Sequence, residues 1–198
     1  MTYATNFARA LTPLAIVAAA APAAAQNADL AKVQAHLRAV DSMSANFTQT
    51  DARGRSSAGT LQIKRPGRVR FQYGSGDLLL VADGSRLWFL DYTVGQKSSY
   101  ALNRTPLGLL LSSNPDVRSA KILPSADPRV ITVRASRAAY GTLILVFTRN
   151  ASAPGGLSLY GWTAIDAQNK RTTVKLSNVR YNVAVPASAF TFRDPKKR

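Results

Sequence analysis

The chain contains no cysteine, no glutamate and only one histidine, His36, among its 198 residues. Without cysteine, the sequence excludes disulfides, thiolate nucleophiles, thiolate metal ligands and a lipid-modified N-terminal cysteine. One histidine cannot supply a metal site with several histidine ligands, and we expect His36 to be an ordinary helix residue. Paired carboxylates would have to be aspartates, and no sequence signature marks such a pair. These absences favour a binding protein over an enzyme, and we expect no metal site.

The N-terminal 25 residues have little charge, with Arg9 followed by an apolar run from Leu11 to Ala21. The small residues Ala23-Ala24-Ala25 then precede Gln26, which is typical of a cleavable secretory signal. The alternative is a membrane anchor, but the run is shorter than the roughly 20 apolar residues that span a bilayer. We therefore predict a signal peptide over 1–25 and a single exported domain over 26–198.

Negative charge is scarce, since 26 lysines and arginines stand against 10 aspartates and give a net charge of +16. Such a chain attracts anionic partners. Export separates it from nucleic acid, so nucleic acid is not an expected partner. A stretch from Ala52 to Gly76 has no acid and predicts a basic strip that steers docking to acidic surfaces or anionic head groups. Its members are Arg53, Arg55, Lys64, Arg65, Arg68 and Arg70.

The remaining sequence predicts one long helix, a short helix and about ten strands. Apolar residues at three- and four-residue steps predict an amphipathic helix over 28–43. Four leucines follow Pro106 and predict a short helix or loop over 105–112. Elsewhere the period is two, with tight turns between the runs, which indicates one large antiparallel sheet curled over its helices. The predicted strands are 45–50, 58–65, 68–73, 78–82, 86–92, 96–102, 129–135, 142–149, 157–166 and 171–180.

Several stretches, in order along the chain, resemble the LolA family of periplasmic lipoprotein carriers. These stretches are Ser44–Gln49, Gly59–Gly67, Leu80–Phe89, Thr105–Leu107 with the leucines that follow, and Phe190–Phe192. The resemblance implies a mainly β (α+β) fold, an unclosed antiparallel half-barrel whose apolar cavity lies under an N-terminal helix and short lid helices. It also implies a periplasmic monomer without a cofactor. In that family the carrier receives lipoproteins from an inner-membrane ATP-driven release complex and passes them to an outer-membrane acceptor, LolB.

Arg65 is the residue that the resemblance marks most clearly, because it matches the family's arginine before proline. That arginine is implied to hydrogen-bond to the lid backbone and to hold the empty cavity closed. Strand parity agrees, since Leu61, Ile63 and Arg65 would point to the same side of the sheet. A buried guanidinium needs partners, and lid carbonyls are candidates. The alternative is that the strand frays at Pro66 and that Arg65 faces water.

Nine apolar residues complete the candidate site as lining of the acyl-chain cavity. Val69 stands where the family tends to have a bulky aromatic residue. For the aromatic members the alternative is ordinary core, since pattern alone does not separate core from cavity wall. The nine are Leu61, Ile63, Val69, Phe71, Tyr73, Trp88, Leu107, Leu109 and Leu110.

Three other functions stay open from the sequence. A sensor or regulatory module on the same half-barrel would bind lipoprotein or peptide signals without delivering them. A carrier of another amphiphile, such as a glycolipid or hopanoid, would use the same cavity. An enzyme of unfamiliar type is the third alternative.

Overall fold

A computed structural model describes residues 21–137 and 141–196. Two α-helices and eleven β-strands make up the fold, with short 3-10 helices at Leu102–Arg104, Pro154–Gly156 and Ala187–Phe190. The helices are α1 (Ala21–Ala39) and α2 (Leu107–Leu110). The strands are β1 (Ser42–Thr50), β2 (Ser56–Lys64), β3 (Arg68–Tyr73), β4 (Leu78–Asp83), β5 (Arg86–Asp91), β6 (Gln96–Ala101), β7 (Lys121–Leu123), β8 (Val130–Arg137), β9 (Gly141–Arg149), β10 (Leu157–Ile165) and β11 (Arg171–Tyr181).

All eleven strands form one antiparallel sheet in the order β6-β5-β4-β3-β2-β1-β11-β10-β9-β8-β7. Most neighbouring strands are joined by tight turns. The pairing of β1 with β11 joins the two halves of the sheet. The sheet is not closed into a barrel, because β6 and β7 are its two edges. These edge strands follow one another in sequence, so the connection between them, residues 102–120, runs from one edge of the sheet to the other. The predicted open antiparallel fold is confirmed.

One face of the sheet is concave and carries the main core. A single apolar cluster takes residues from β1 to β5, from β8 to β11, from α1 and from the 102–120 connection. Alternation places these residues inward, as in β3, where Val69, Phe71 and Tyr73 are buried and their neighbours are partly exposed. Because strands from both halves of the sheet meet in this cluster, the sheet curls around it.

One helix boundary was predicted wrongly, and one strand was missed. Helix α1 ends at Ala39, not at residue 43, because Met43 is buried in β1, where it pairs with Ile63 and Tyr181. Strand β7 was missed. The predicted signal peptide falls mostly on residues 1–20, which lie outside the described residues, and its predicted end lies within α1.

Neither described helix combines the length and the apolar composition that a membrane-spanning segment requires.

Candidate functional site

The concave face brings together eight of the nine predicted apolar site residues. Leu61 and Val69 are 0% and 1% exposed and belong to the same cluster as Ile63, Phe71 and Tyr73. The Phe71 and Phe47 rings meet edge to face with their centroids 5.1 Å apart. Tyr73 donates its hydroxyl hydrogen to Gln49 Oε1 at 2.8 Å, and burial raises the pKa of Tyr73 to about 12. The sheet therefore presents an apolar wall in which the Tyr73 hydroxyl is hydrogen-bonded.

Residues 102–120, which we call the lid, cover this wall. Leu109 and Leu110 of α2 are buried in the concave-face cluster, and Leu107 packs against it. Pro106 precedes α2 with helical backbone angles, and the helix ends after one turn. So short a helix has almost no stability of its own, and its position depends on the leucines that it buries. The lid is therefore a cover held by side-chain packing and by a few hydrogen bonds.

Arg65 connects the lid, α1 and the sheet. Its Nε donates to the carbonyl of Leu110 at 3.1 Å, and its Nη1 donates to the carbonyl of Leu37 in α1. Burial lowers the pKa of Arg65, and the Asp41 carboxylate opposes that shift. A half-buried guanidinium whose partners are carbonyls loses both if the lid and α1 move away. The side chain does not face open water, so the frayed-strand alternative is wrong.

The turn after Arg65 adds a backbone bond to the lid. Gly67 donates its N–H to the carbonyl of Leu111 at 2.8 Å. Its φ of +69° is in the left-handed region, and a Cβ here would lie 2.8 Å from the backbone of Gly84. Only glycine satisfies both conditions without strain. The β2–β3 turn therefore fits closely between the β4–β5 turn and the lid.

Helix α1 is anchored at its other side by His36, which is 2% exposed. Its Nδ1 donates to the carbonyl of Pro154 at 2.7 Å, and its ring meets Phe147 and Tyr181 edge to face. Burial lowers the pKa of His36, and the charge of Arg65 lowers it further. Gly155 has a φ of +64°, and a Cβ there would lie 2.6 Å from the backbone nitrogen of His36. The single histidine thus holds α1 against the β9–β10 turn.

Little empty space remains under the lid in the part of the chain that the structure describes. A partly enclosed cavity of about 110 Å³ lies between the lid and β8–β9. A cavity of roughly 150 Å³ holds one benzene molecule, so this one cannot hold an acyl chain. The concave face is apolar as predicted, but the lid leucines and α1 pack into it, so the predicted acyl-chain cavity is not open in this structure. The structure is that of a closed protein.

Trp88 is the one predicted lining residue that lies elsewhere, and its placement was wrong. It packs on the convex face, where its ring lies 5.6 Å from that of Phe192, and its Nε1 donates to Asp83 Oδ2 at 2.7 Å. Leu87, its neighbour, points into the concave face instead. Both faces of β5 are apolar, so the sequence did not show which residues point inward.

The sequence profile described as "Outer membrane lipoprotein carrier protein LolA" matches residues 38–193. The chain belongs to the LolA family. It is 27% identical over 195 residues to the outer-membrane lipoprotein carrier protein of Chromobacterium violaceum. The aligned region covers 92% of this chain and 91% of that protein. The protein of the same name from Legionella pneumophila (strain Corby) is 28% identical over 178 residues, 83% of this chain and 85% of that protein.

Among solved structures, a LolA superfamily protein from Nitrosomonas europaea is similar with a TM-score of 0.47 and 12% sequence identity. The similarity covers 84% of this chain and 97% of that chain.

The convex face of this LolA-family protein carries a second apolar cluster that sequence reasoning missed. Residues 183–194, which we call the strap, cover it, and Val185 and Phe190 are buried there against β4 and β5. The signal was present in the sequence. Leu78–Ala82 and Leu87–Leu90 are continuous apolar runs, and a strand that is apolar without alternation is buried on both faces.

The predicted basic strip is divided among three places. Arg55 pairs with Asp51 at 2.7 Å, and Arg65 points inward to the lid. Lys64 donates to the carbonyl of Val185, and Arg70 donates to the carbonyls of Ala189 and Thr191. Lys64, Arg68 and Arg70 share the convex face, whereas Arg65 points to the lid on the concave side, so the six do not form one continuous surface. The steering role that the sequence predicts for these charges stays a prediction.

Proposed function

We propose that this protein is a periplasmic carrier, and not an enzyme, that shields lipoprotein acyl chains against its concave face. It would take cargo from an inner-membrane ATP-driven release complex and deliver it to an outer-membrane acceptor of the LolB kind. The observation that carries the proposal is the apolar concave wall under a cover that hydrogen bonds from Arg65 secure. The names of the two bacterial relatives agree with it.

The closed state sets the energetics of the proposed cycle. Burying acyl chain yields about 0.8 kcal/mol per CH₂, so a fully shielded chain of about fourteen carbons would contribute on the order of 10 kcal/mol. A carrier with such affinity would not release its cargo. If the lid must first be displaced, the apparent affinity falls in proportion to the small fraction of open protein. Closure over Arg65 after delivery then offsets part of the binding free energy.

The test is to purify the wild-type protein and two variants from the periplasm and to identify by mass spectrometry what copurifies with each. Substituting Arg65 by leucine removes the hydrogen bonds that favour the closed state, so Arg65→Leu protein should retain lipoprotein that the wild-type protein has released. Arg70→Leu is the matched control, because Arg70 lies in the same hairpin but binds the strap on the opposite face.

Lipoprotein enriched on Arg65→Leu, and not on Arg70→Leu, is the expected result. Free glycolipid or hopanoid on both proteins would favour a carrier of another amphiphile instead. A lipoprotein that stays bound to the protein without passing to an acceptor fits the sensor alternative. If neither variant retains any lipid or lipoprotein, the carrier proposal is wrong.

A further inference from the structure

The first part of the lid is attached to the sheet at several points. Leu102 donates its N–H to Ser85, and Gly67 donates to Leu111. Arg65 adds its bond to Leu110. All of these partners lie at one rim of the half-barrel, at the β2–β3 and β4–β5 turns. Residues 102–111 are therefore fixed along that rim.

The second part of the lid, residues 112–120, is attached differently. The side-chain amide of Gln34 in α1 hydrogen-bonds to two backbone groups of this segment. Nε2 donates to the carbonyl of Pro115 at 2.5 Å, and Oε1 accepts the N–H of Val117 at 3.0 Å. Among the described residues, no hydrogen bond joins residues 112–120 to β8 or β9. One side chain of α1 thus clamps this part of the lid.

The cavity of about 110 Å³ lies between both parts of the lid and β8–β9, next to a segment whose Val117 is buried in the core. Pro106 and Leu109 of the lid face Ala135 and Leu143 of β8 and β9 across it. Its remaining lining is more polar and includes Asp116, Ser119 and Ser136. The mixed lining offers apolar contacts to a hydrocarbon chain and polar groups to its head.

We propose that acyl chains enter through a portal between residues 112–119 and β8–β9, and that Gln34 is the clamp that keeps this portal shut. This inference extends the proposed carrier function to the path that the cargo takes. In this first step the rim held by Arg65 stays attached, and its bonds break only when the whole lid is displaced. Leu109, Ala135 and Leu143 make the first apolar contacts. Gln34 is a positioning residue, since it acts through the lid backbone.

The chain has no native cysteine, so a cleavable cross-link can close the portal specifically. Ser119→Cys with Ser136→Cys places one thiol on each side of the cavity and can be joined by a disulfide-containing bis-maleimide. The matched control is Thr60→Cys with Asn178→Cys, which line a groove on the convex face. The probe is dansyl-labelled undecanoic acid, and its uptake is followed by stopped-flow fluorescence.

We expect the cross-link across the portal to slow probe uptake at least tenfold and reduction of the linker to restore it. The control cross-link should leave the rate unchanged. Gln34→Ala should speed uptake by about tenfold, which is the effect of losing two hydrogen bonds of ordinary net strength. Its thermal midpoint, measured alongside, distinguishes faster opening from general unfolding.

The outcomes separate the two proposals. Unchanged uptake in the cross-linked 119–136 protein would overturn the portal while leaving the carrier function intact. If Gln34→Ala does not accelerate uptake, Gln34 is not the clamp that keeps the portal shut. If wild-type protein takes up neither this probe nor a labelled triacylated lipopeptide, the carrier function itself fails. Uptake of the fatty acid but not of the lipopeptide would point to free lipid as the cargo.

Discussion

The lid and the strap cover opposite faces of the same sheet, and an arginine beside the β2–β3 turn holds each of them. Arg65 donates to the carbonyls of Leu37 and Leu110 on the concave side. Arg70 donates to the carbonyls of Ala189 and Thr191 on the convex side, at 3.1 and 3.3 Å. The sheet thus secures two covers with the same chemistry.

The lid and the strap differ in the other kinds of contact that hold them. The strap buries Phe190, places the Phe192 ring beside Trp88, and pairs Asp194 with Lys97 at 2.6 Å. The Lys97 ammonium also lies 4.7 Å from the centre of the Trp88 ring. The lid contributes aliphatic leucines and backbone groups, and both of its ends continue into strands. Aromatic and ionic contacts suit a permanent cover, whereas a short leucine-rich cover can be displaced as a unit.

The largest effect is expected from a substitution that disrupts the packing of the strap. Phe190→Ala should lower the free energy of unfolding by about 3–5 kcal/mol, because it removes a buried aromatic side chain and leaves a cavity. Chemical denaturation measures the change, and Phe192→Ala, at a more exposed position, should cost less. A loss below about 1 kcal/mol for Phe190→Ala would mean that the strap is not packed in solution.

A smaller effect is expected from the arginine that holds the strap. Arg70→Leu should lower the free energy of unfolding by about 1–2 kcal/mol, since two carbonyls lose a charged donor but remain near water. Hydrogen exchange should show faster exchange at the Thr191 amide, which is bonded to Ser188, with unchanged protection in β8 and β9. Equal loss of protection across the sheet would contradict a local role for Arg70.

The smallest expected effect is a pH dependence on the lid side. Burial lowers the pKa of His36, so the unfolded chain takes up this proton first as the pH falls. The stability contributed by neutral His36 is present above about pH 6.5 and is lost as the pH falls towards the lowered pKa, with a slope of at most about 1.4 kcal/mol per pH unit. Aspartates with lowered pKa values, such as Asp83 at about 2, act only at lower pH.

Denaturation between pH 7 and pH 5 measures this effect, and His36→Gln is the control because glutamine does not titrate. The wild-type protein should lose stability over that range while the variant stays level. Parallel curves for the two proteins would show that His36 is not the group responsible.

Most strands were predictable from the sequence, but the inward-facing side chains were predictable only in strands with one buried face. In β3 the alternation of Val69, Phe71 and Tyr73 with polar residues fixes the inward face. In β5 both parities are apolar, so Trp88 was assigned to the wrong side. Strand β7, at Lys121–Leu123, is too short to show a period.

The contacts that hold the lid were only partly predictable. Arg65 was identified because its sequence context, Arg-Pro-Gly, is distinctive. Gln34 was not, because its partners are the backbone groups of Pro115 and Val117, and every residue carries a similar backbone. An amide on the partly exposed side of a helix gives no sign in the sequence that it binds a distant loop.

The order of the strands also limits how wide the half-barrel can become. Its two edges, β6 and β7, are consecutive in the chain and are tethered by residues 102–120. Fully extended, this tether would reach roughly 65 Å, but its hydrogen bonds at Leu102, Leu111 and Pro115 shorten it considerably. The number of those hydrogen bonds that break therefore sets how far β6 and β7 can separate, and with it the size of the ligand that the half-barrel can enclose.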